Sequence, residues 1–244
     1  MAYLANVRIT ESGSIQVVQG GVVKSSSAVI GATDYIPTIN TILYWPLRTT
    51  QITDASGNGY HGEIIGTTSI QPGGKFGDFL EFLSGSTTYA RSLAKVPAFP
   101  SYTFSWWQKR YTNNPYGVSI TVGSGDDAIG FSQSDVWFDP INRWGTYAFN
   151  TNLGGDMTFD WTHFCVVVDQ PTTSMTLYVN KISKGVLEDW SRFPTSFSRG
   201  IRIAGNPGGP NAWHQYIDGS LAEVIYENKA WSATEVATYY DARV

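Results

Sequence analysis

The chain has 244 residues, 42% hydrophobic and 14% aromatic but only 15% charged, a balance that suits one large packed domain of strands and turns and argues against solvated helices. A formal net charge of −4 excludes the basic surface that nucleic acid would demand, and apolar runs no longer than those like Phe164-Cys-Val-Val-Val168 exclude a bilayer-spanning segment. Cys165 is the only cysteine, which excludes an intrachain disulfide and leaves it to behave as a small buried hydrophobe.

Residues 1–40 differ from the rest of the chain. The start, Met1 to Arg8, has neither a basic n-region nor a long apolar run, so no signal peptide is expected and synthesis in a cytoplasm is. Residues 6–10 and 14–18 read as two short strands, after which Gly20-Gly21, Ser25-Ser-Ser27 and Gly31 break the pattern. Tyr3 and Tyr35 are its only aromatics. At roughly 25 cal/mol per Å² such a segment gains little from burial by itself. Two readings stay open: an arm that docks on a partner or neighbouring subunit, and extra strands folded onto the main domain.

From residue 41 short strands alternate with turns. Leu43-Tyr-Trp-Pro-Leu47 leads into Asp54-Ala-Ser-Gly-Asn-Gly-Tyr-His-Gly62, and Glu63-Ile-Ile65 comes after it. Gly57, Gly59 and Gly62, with Asn58, are suited to positive-φ positions in a tight turn. The oxygens of Asp54, Ser56 and Asn58 can bond the local backbone or hold a hard cation. Phe79-Leu-Glu-Phe82 and Thr88-Tyr-Ala-Arg91 come next, then Tyr102-Thr-Phe-Ser-Trp-Trp-Gln-Lys109, whose alternation puts Phe104 and Trp106 on one face and Trp107 on the other.

Residues 111–160 are rich in Gly, Asn, Asp and Trp, with brief strands such as Gly117 to Val122. Clear pattern returns at His163 to Asp169, Met175 to Asn180 and Ile201 to Ala204, and a long strand covers about Tyr216 to Tyr226. One helix is expected. Ser232-Ala-Thr-Glu235 is a capping box, and Val236, Tyr239 and Tyr240 then share a helical face.

Seven of these pieces, in this order, resemble the laminin G-like, concanavalin A-like jelly roll: residues 54–62, Gly77-Asp-Phe-Leu-Glu-Phe82, Tyr102-Thr-Phe-Ser-Trp-Trp107, Trp161-Thr-His163, Leu177-Tyr-Val-Asn180, Ile217-Asp-Gly219 through Glu223-Val-Ile-Tyr226, and the helix from Ser232 to Tyr240. The resemblance covers residues 41–244 and implies an all-β fold, two antiparallel sheets packed face to face with one short C-terminal helix. It implies no single activity, because the family holds sugar-binding modules, adhesion domains, glycosidases and structural inserts. Many relatives read Tyr-Val-Asn-Gly where this chain has Tyr178-Val-Asn-Lys181, so that hairpin turns without its usual glycine. The resemblance also implies one structural Ca²⁺, nominating Asp54, Asn58 and Asp218 with backbone carbonyls; the alternative is that Asp54 and Asn58 cap the turn.

Sugar contact is expected of Trp137, Trp144, Trp190 and Trp213, which lie in turn-rich segments beside polar neighbours such as Asp135, Arg143 and His214. The other reading of each is a ring that fills core or braces a loop. Hydrolysis is not expected. Glu223 and Glu227 are four residues apart on one strand, roughly 13 Å when extended, which fits neither glycosidase geometry. The whole reads as a non-enzymatic structural or adhesion protein. The leading expectation is a bacteriophage virion component, a capsid decoration or tail or fibre subunit, acting at the virion surface. Residues 1–40 would attach it to other virion proteins or to neighbouring subunits in a homo-oligomer, and its loops would be free to bind surface glycans. The alternative is a free-standing carbohydrate-binding module.

Overall fold

The computed structural model describes residues 34–83, 87–112, 159–187, 200–205 and 216–244, together with the strands inside 6–26 and 116–149. The first three strands, β1 (Asn6–Ile9), β2 (Ile15–Gln19) and β3 (Val22–Ser26), form an antiparallel sheet of their own. The next strands are β4 (Thr41–Trp45), β5 (Gly62–Ile65), β6 (Ser69–Gly74), β7 (Gly77–Phe82), β8 (Tyr89–Ser92), β9 (Ser101–Arg110) and β10 (Tyr116–Val122). After them come β11 (Ala128–Ser132), β12 (Val136–Asp139), β13 (Ala148–Phe149), β14 (Thr162–Asp169), β15 (Ser174–Val179), β16 (Ile182–Leu187), β17 (Ile201–Ile203), β18 (Gly219–Glu227) and the helix α1 (Ala233–Asp241). A seven-stranded sheet runs β13-β12-β11-β10-β17-β8-β5, and an eight-stranded one runs β16-β15-β14-β9-β18-β7-β6 with β4 paired to β18. The expected two-sheet antiparallel sandwich with one C-terminal helix is what the chain adopts.

Period-two patterning explains which side chains meet. Phe104 and Trp106 of β9, Phe164 and Val166 of β14, and Leu221, Val224 and Tyr226 of β18 point into the core between the sheets. There they meet Ile120, Ile201, Ile203 and Ala90 of the seven-stranded sheet. Trp107, Cys165, Ala222 and Ile225 project from the opposite face of the eight-stranded sheet, where Val236 and Tyr239 of α1 and Trp231 cover them. This is why β9, β14 and β18 read as nearly unbroken apolar runs: both of their faces are buried. The capping box at Ser232 and Glu235 is present as expected, with both reciprocal bonds made.

Two local expectations need correction. Gly57 and Gly59 do adopt positive φ, 89° and 81°, but Gly62 does not; it opens β5, and a Cβ there would stand 2.9 Å from Ile52 and 3.1 Å from Trp45. Close packing, and not a left-handed turn, requires that glycine. The last long strand begins at Gly219, not at Tyr216. The hairpin without its glycine turns by placing both Asn180 and Lys181 in the left-handed region, at φ 47° and 65°.

Candidate functional site

The turn at residues 54–62 is built around one carboxylate. Asp54, 5% exposed, accepts from the backbone N–H of Tyr44 at 3.0 Å and of Ser56 at 2.9 Å through Oδ1, and from that of Tyr60 at 2.9 Å through Oδ2. Asn58 turns its Nδ2 toward the carbonyls of Thr41 at 2.8 Å and Ile42 at 3.1 Å. Ser56 donates to the Ile42 carbonyl. The turn is thereby stitched to β4, and its donors point at the groups proposed to hold a cation. Asp218 lies just ahead of β18, where its carbonyl accepts from the N–H of Tyr111 at 2.9 Å. Among the described residues no three His, Cys, Asp or Glu side chains gather as a metal would need. Of the three residues nominated for a cation, Asp54 and Asn58 spend these side-chain bonds on the backbone of the turn and of β4.

Trp144, Trp190 and Trp213 lie outside the described residues. The backbone of Trp137 is described: it sits on β12, opposite Gly130 of β11 and Ala148 of β13. Trp137 thus belongs to the seven-stranded sheet, whose faces are unequal. Arg202 lies between Ile201 and Ile203, both fully buried, and Arg91 lies between Ala90 and Ser92, also buried. Both arginines therefore face away from the core. In register, one row crosses six strands as Asp139, Ala128, Thr121, Arg202, Arg91 and Glu63. Arg91 meets Glu63 Oε1 through both Nε and Nη2, each at 2.7 Å. Among the described side chains, Glu63, Arg91 and Arg202 lie on the outer face of this sheet, whereas that of the eight-stranded sheet is covered by α1 and its aromatic cluster.

Beneath α1 lies a second set of polar groups, centred on Glu223 and Glu227, the pair whose spacing in the sequence fits neither glycosidase geometry. Glu223 is fully buried and sits at φ 48° where the pairing of β18 with β9 slips between Ala222 and Ile225. The extra residue of this bulge puts Glu223 on the helix side together with Ala222. Its carboxylate accepts from Tyr44 Oη at 3.1 Å, Tyr239 Oη at 2.9 Å and Arg243 Nε at 2.5 Å. Glu227 accepts from Thr41 Oγ1 at 2.9 Å, Trp231 Nε1 at 2.5 Å and the hydroxyl of Tyr35. Both carboxylates thus have several donors each, an arrangement that holds elements together. His163 is buried beside them, with Nε2 2.8 Å from Ser105 Oγ. Burial first, then the charges of Arg243 and Lys75, push its pKa down to about 3. The Cys165 thiol is pushed up by burial.

A groove of ≈ 420 Å³ opens here between residues 34–40 and α1, lined by Tyr35, Ile36, Trp231, Thr238, Tyr239 and Arg243 among others. Its charged groups are paired within the chain: Lys229 with Glu235, Arg243 with Glu223, and Asp34 with Arg48. One wall of this groove is the segment counted on sequence as the end of the arm. Tyr35 packs edge-on to Tyr44 and Tyr239, at 5.1 and 6.0 Å between ring centroids. Residues 34–40 therefore dock on their own domain.

A family model described as the concanavalin A-like lectin/glucanases superfamily matches residues 84–237. Among solved structures, domain 4 of AbnA, an extracellular arabinanase from Geobacillus stearothermophilus, in complex with arabinotriose, aligns with a TM-score of 0.60 at 17% identity, covering 82% of this chain and 98% of that one. The binding domain of a Paraclostridial mosquitocidal protein gives a TM-score of 0.64 at 15% identity over 83% of this chain and 52% of that one. The binding domain of botulinum neurotoxin DC in complex with SialylT gives 0.64 at 13%, over 84% and 52%. The chain spans about half the length of these toxin domains. At such identities the likeness concerns the fold. No curated protein matches the chain.

Proposed function

Because the chain belongs to the concanavalin A-like lectin/glucanase superfamily, we propose that it is a carbohydrate-binding module that takes glycans on the outer face of its seven-stranded sheet. The observation that carries this reading is the match to a whole arabinanase domain with an arabinotriose bound, a module of nearly the same extent as this chain's sandwich. The division of the two outer faces supports the location. One is sealed by α1, while the other carries Glu63, Arg91 and Arg202 in register and holds Trp137 on a strand near its edge. A polar row on a sheet that also carries a tryptophan offers the two kinds of group that saccharide recognition uses. Hydrolysis has no part in this reading, since the two carboxylates of β18 are bonded to Tyr, Trp, Thr and Arg donors beneath the helix.

The expected virion subunit anchored through residues 1–40 draws no support from these likenesses, and the binding module takes its place as the leading reading. A glycan array with the folded chain, followed by titration calorimetry on its best hits, tests it. We expect saturable binding that Trp137→Ala weakens at least tenfold with no change in melting temperature. An array on which the folded protein binds nothing overturns the assignment.

A further inference from the structure

The fold divides residues 1–40 in two. Residues 34–40 dock on their own domain, whereas β1, β2 and β3, among the described strands, pair only with one another. Their register gives that small sheet two unlike faces. Directly opposite residues of an antiparallel pair share a face, so Val7 with Val17 and Ile9 with Ile15 form an apolar block, and Val22 falls on the same side. The one charged residue of that face, Lys24, lies on the edge strand β3. Asn6, Arg8, Gln16 and Ser25 take the other face, around Val18 and Val23. A sheet of three strands, each of four or five residues, is near the lower limit of what stands alone in water, and it gains stability by covering such a face.

From this amphipathic register we propose that the sheet is a self-association surface, whose apolar face packs on the same face of a second copy of the chain. The outer faces of the sandwich offer no such match among the described side chains. One is covered by α1, and the other carries Glu63, Arg91 and Arg202. A second copy supplies the match. Across a two-fold axis the two blocks of Val and Ile meet as aligned sheets about 10 Å apart, and each Lys24 falls toward the rim. Each sheet has a footprint of only about 14 by 17 Å. That is too small for the roughly 800 Å² per partner of a standard interface, so the pairing is weak and depends on concentration. Residues 27–33 can span up to about 25 Å, which leaves room for the two sandwiches to stand apart. The pairing does not rest on the carbohydrate-binding reading. It adds to it, since two joined copies present two glycan faces and hold a repeated glycan by avidity.

Sedimentation of the full chain over about a hundredfold range of concentration tests this. We expect a monomer that passes into a dimer as concentration rises. Val17→Asp is expected to weaken the dimer by at least about tenfold. Gln16→Asp, on the same strand but the opposite face, is expected to leave it unchanged, and the sandwich melts at the same temperature in both variants. Because Val17→Asp also threatens the sheet itself, crosslinking supplies a second measurement. Cys165 is the only native cysteine and is buried, so the background is low. Val17→Cys, on the central strand of the apolar face, is expected to join two copies through a disulfide under oxidation faster than Gln16→Cys does. A chain that is monomeric throughout, its sheet docked instead on its own exposed Ile36 and Ile39, overturns the inference. A dimer that both aspartate substitutions weaken alike, or cysteine variants that crosslink at equal rates, overturns the face assigned to the pairing.

Discussion

Glu223 shows most directly what single side chains do in this fold. A non-glycine residue at φ 48° is strained, and here the strain is offset by Tyr44, Tyr239 and Arg243 converging on one carboxylate. Arg243→Ala would leave that buried carboxylate with only the more distant Arg48, 3.9 Å away, so we expect a loss of up to about 3–5 kcal/mol in urea denaturation. The strand was legible from its apolar residues, but the bulge was not. Alternation alone assigns Glu223 to the core face with Leu221, and only the register shift against β9 moves it. Asp54 was legible as a turn residue because its partners are local. Its role is testable: Asp54→Ala strands three backbone N–H groups and should cost at least about 2–4 kcal/mol, while chelation of divalent ions should leave the melting temperature unchanged. His163 supplies a pH dependence. In the unfolded chain it takes a proton near 6.5, but in the fold it stays neutral to about 3. The unfolded state therefore binds more protons between these values. Stability is full above pH 6.5 and falls by about 1.4 kcal/mol for each unit below it, a slope that His163→Gln should reduce in urea melts from pH 7 to 5.

Among the elements, α1 was the most legible, because its start is written in four residues and its buried face in two more, Val236 and Tyr239. Tyr240 is only partly covered, where it stacks against Trp107 at 5.5 Å. The helix is short, and tertiary contact supplies most of its stability. Its exposed ion pairs, Lys181 with Asp241 and Lys229 with Glu235, contribute little. The cap matters more: Ser232→Ala should lower stability by about 1 kcal/mol, read as a shift in urea midpoint at constant slope. Strands β10 to β13 were only sketched in the sequence, since glycine- and asparagine-rich segments have no period from which a register could be read. The expected sugar-binding residue Trp137 gained a strand and a sheet from the fold. The row that crosses that sheet could not be found in advance. Its members come from six strands spread between residues 63 and 202, and nothing local relates Arg91 to Arg202.

For the whole molecule, the sequence placed the domain start at residue 41, where large apolar residues become frequent. Packing begins earlier. Tyr35 is half-buried against Tyr44 and Tyr239 and bonded to Thr41 and Glu227, contacts to distant stretches of the chain that no local pattern announces. A chain of residues 34–244 should therefore melt higher than one of residues 41–244, by about 2–4 °C for each kcal/mol these contacts supply. Equal melting temperatures would show that the segment contributes nothing.

That clasp also decides where force would travel. Among the described residues, a pull from the leading segment meets the sandwich at the Asp34–Arg48 pair and Tyr35 and then runs along β4, whose ladder is shared with β18, the strand that also carries β9 and β7. Tension is thus delivered to an interior strand of the eight-stranded sheet and to the helix seated on it. The seven-stranded sheet lies across the core from this path, so a molecule tethered by its leading segment would bear load through one layer while the other kept its shape for recognition.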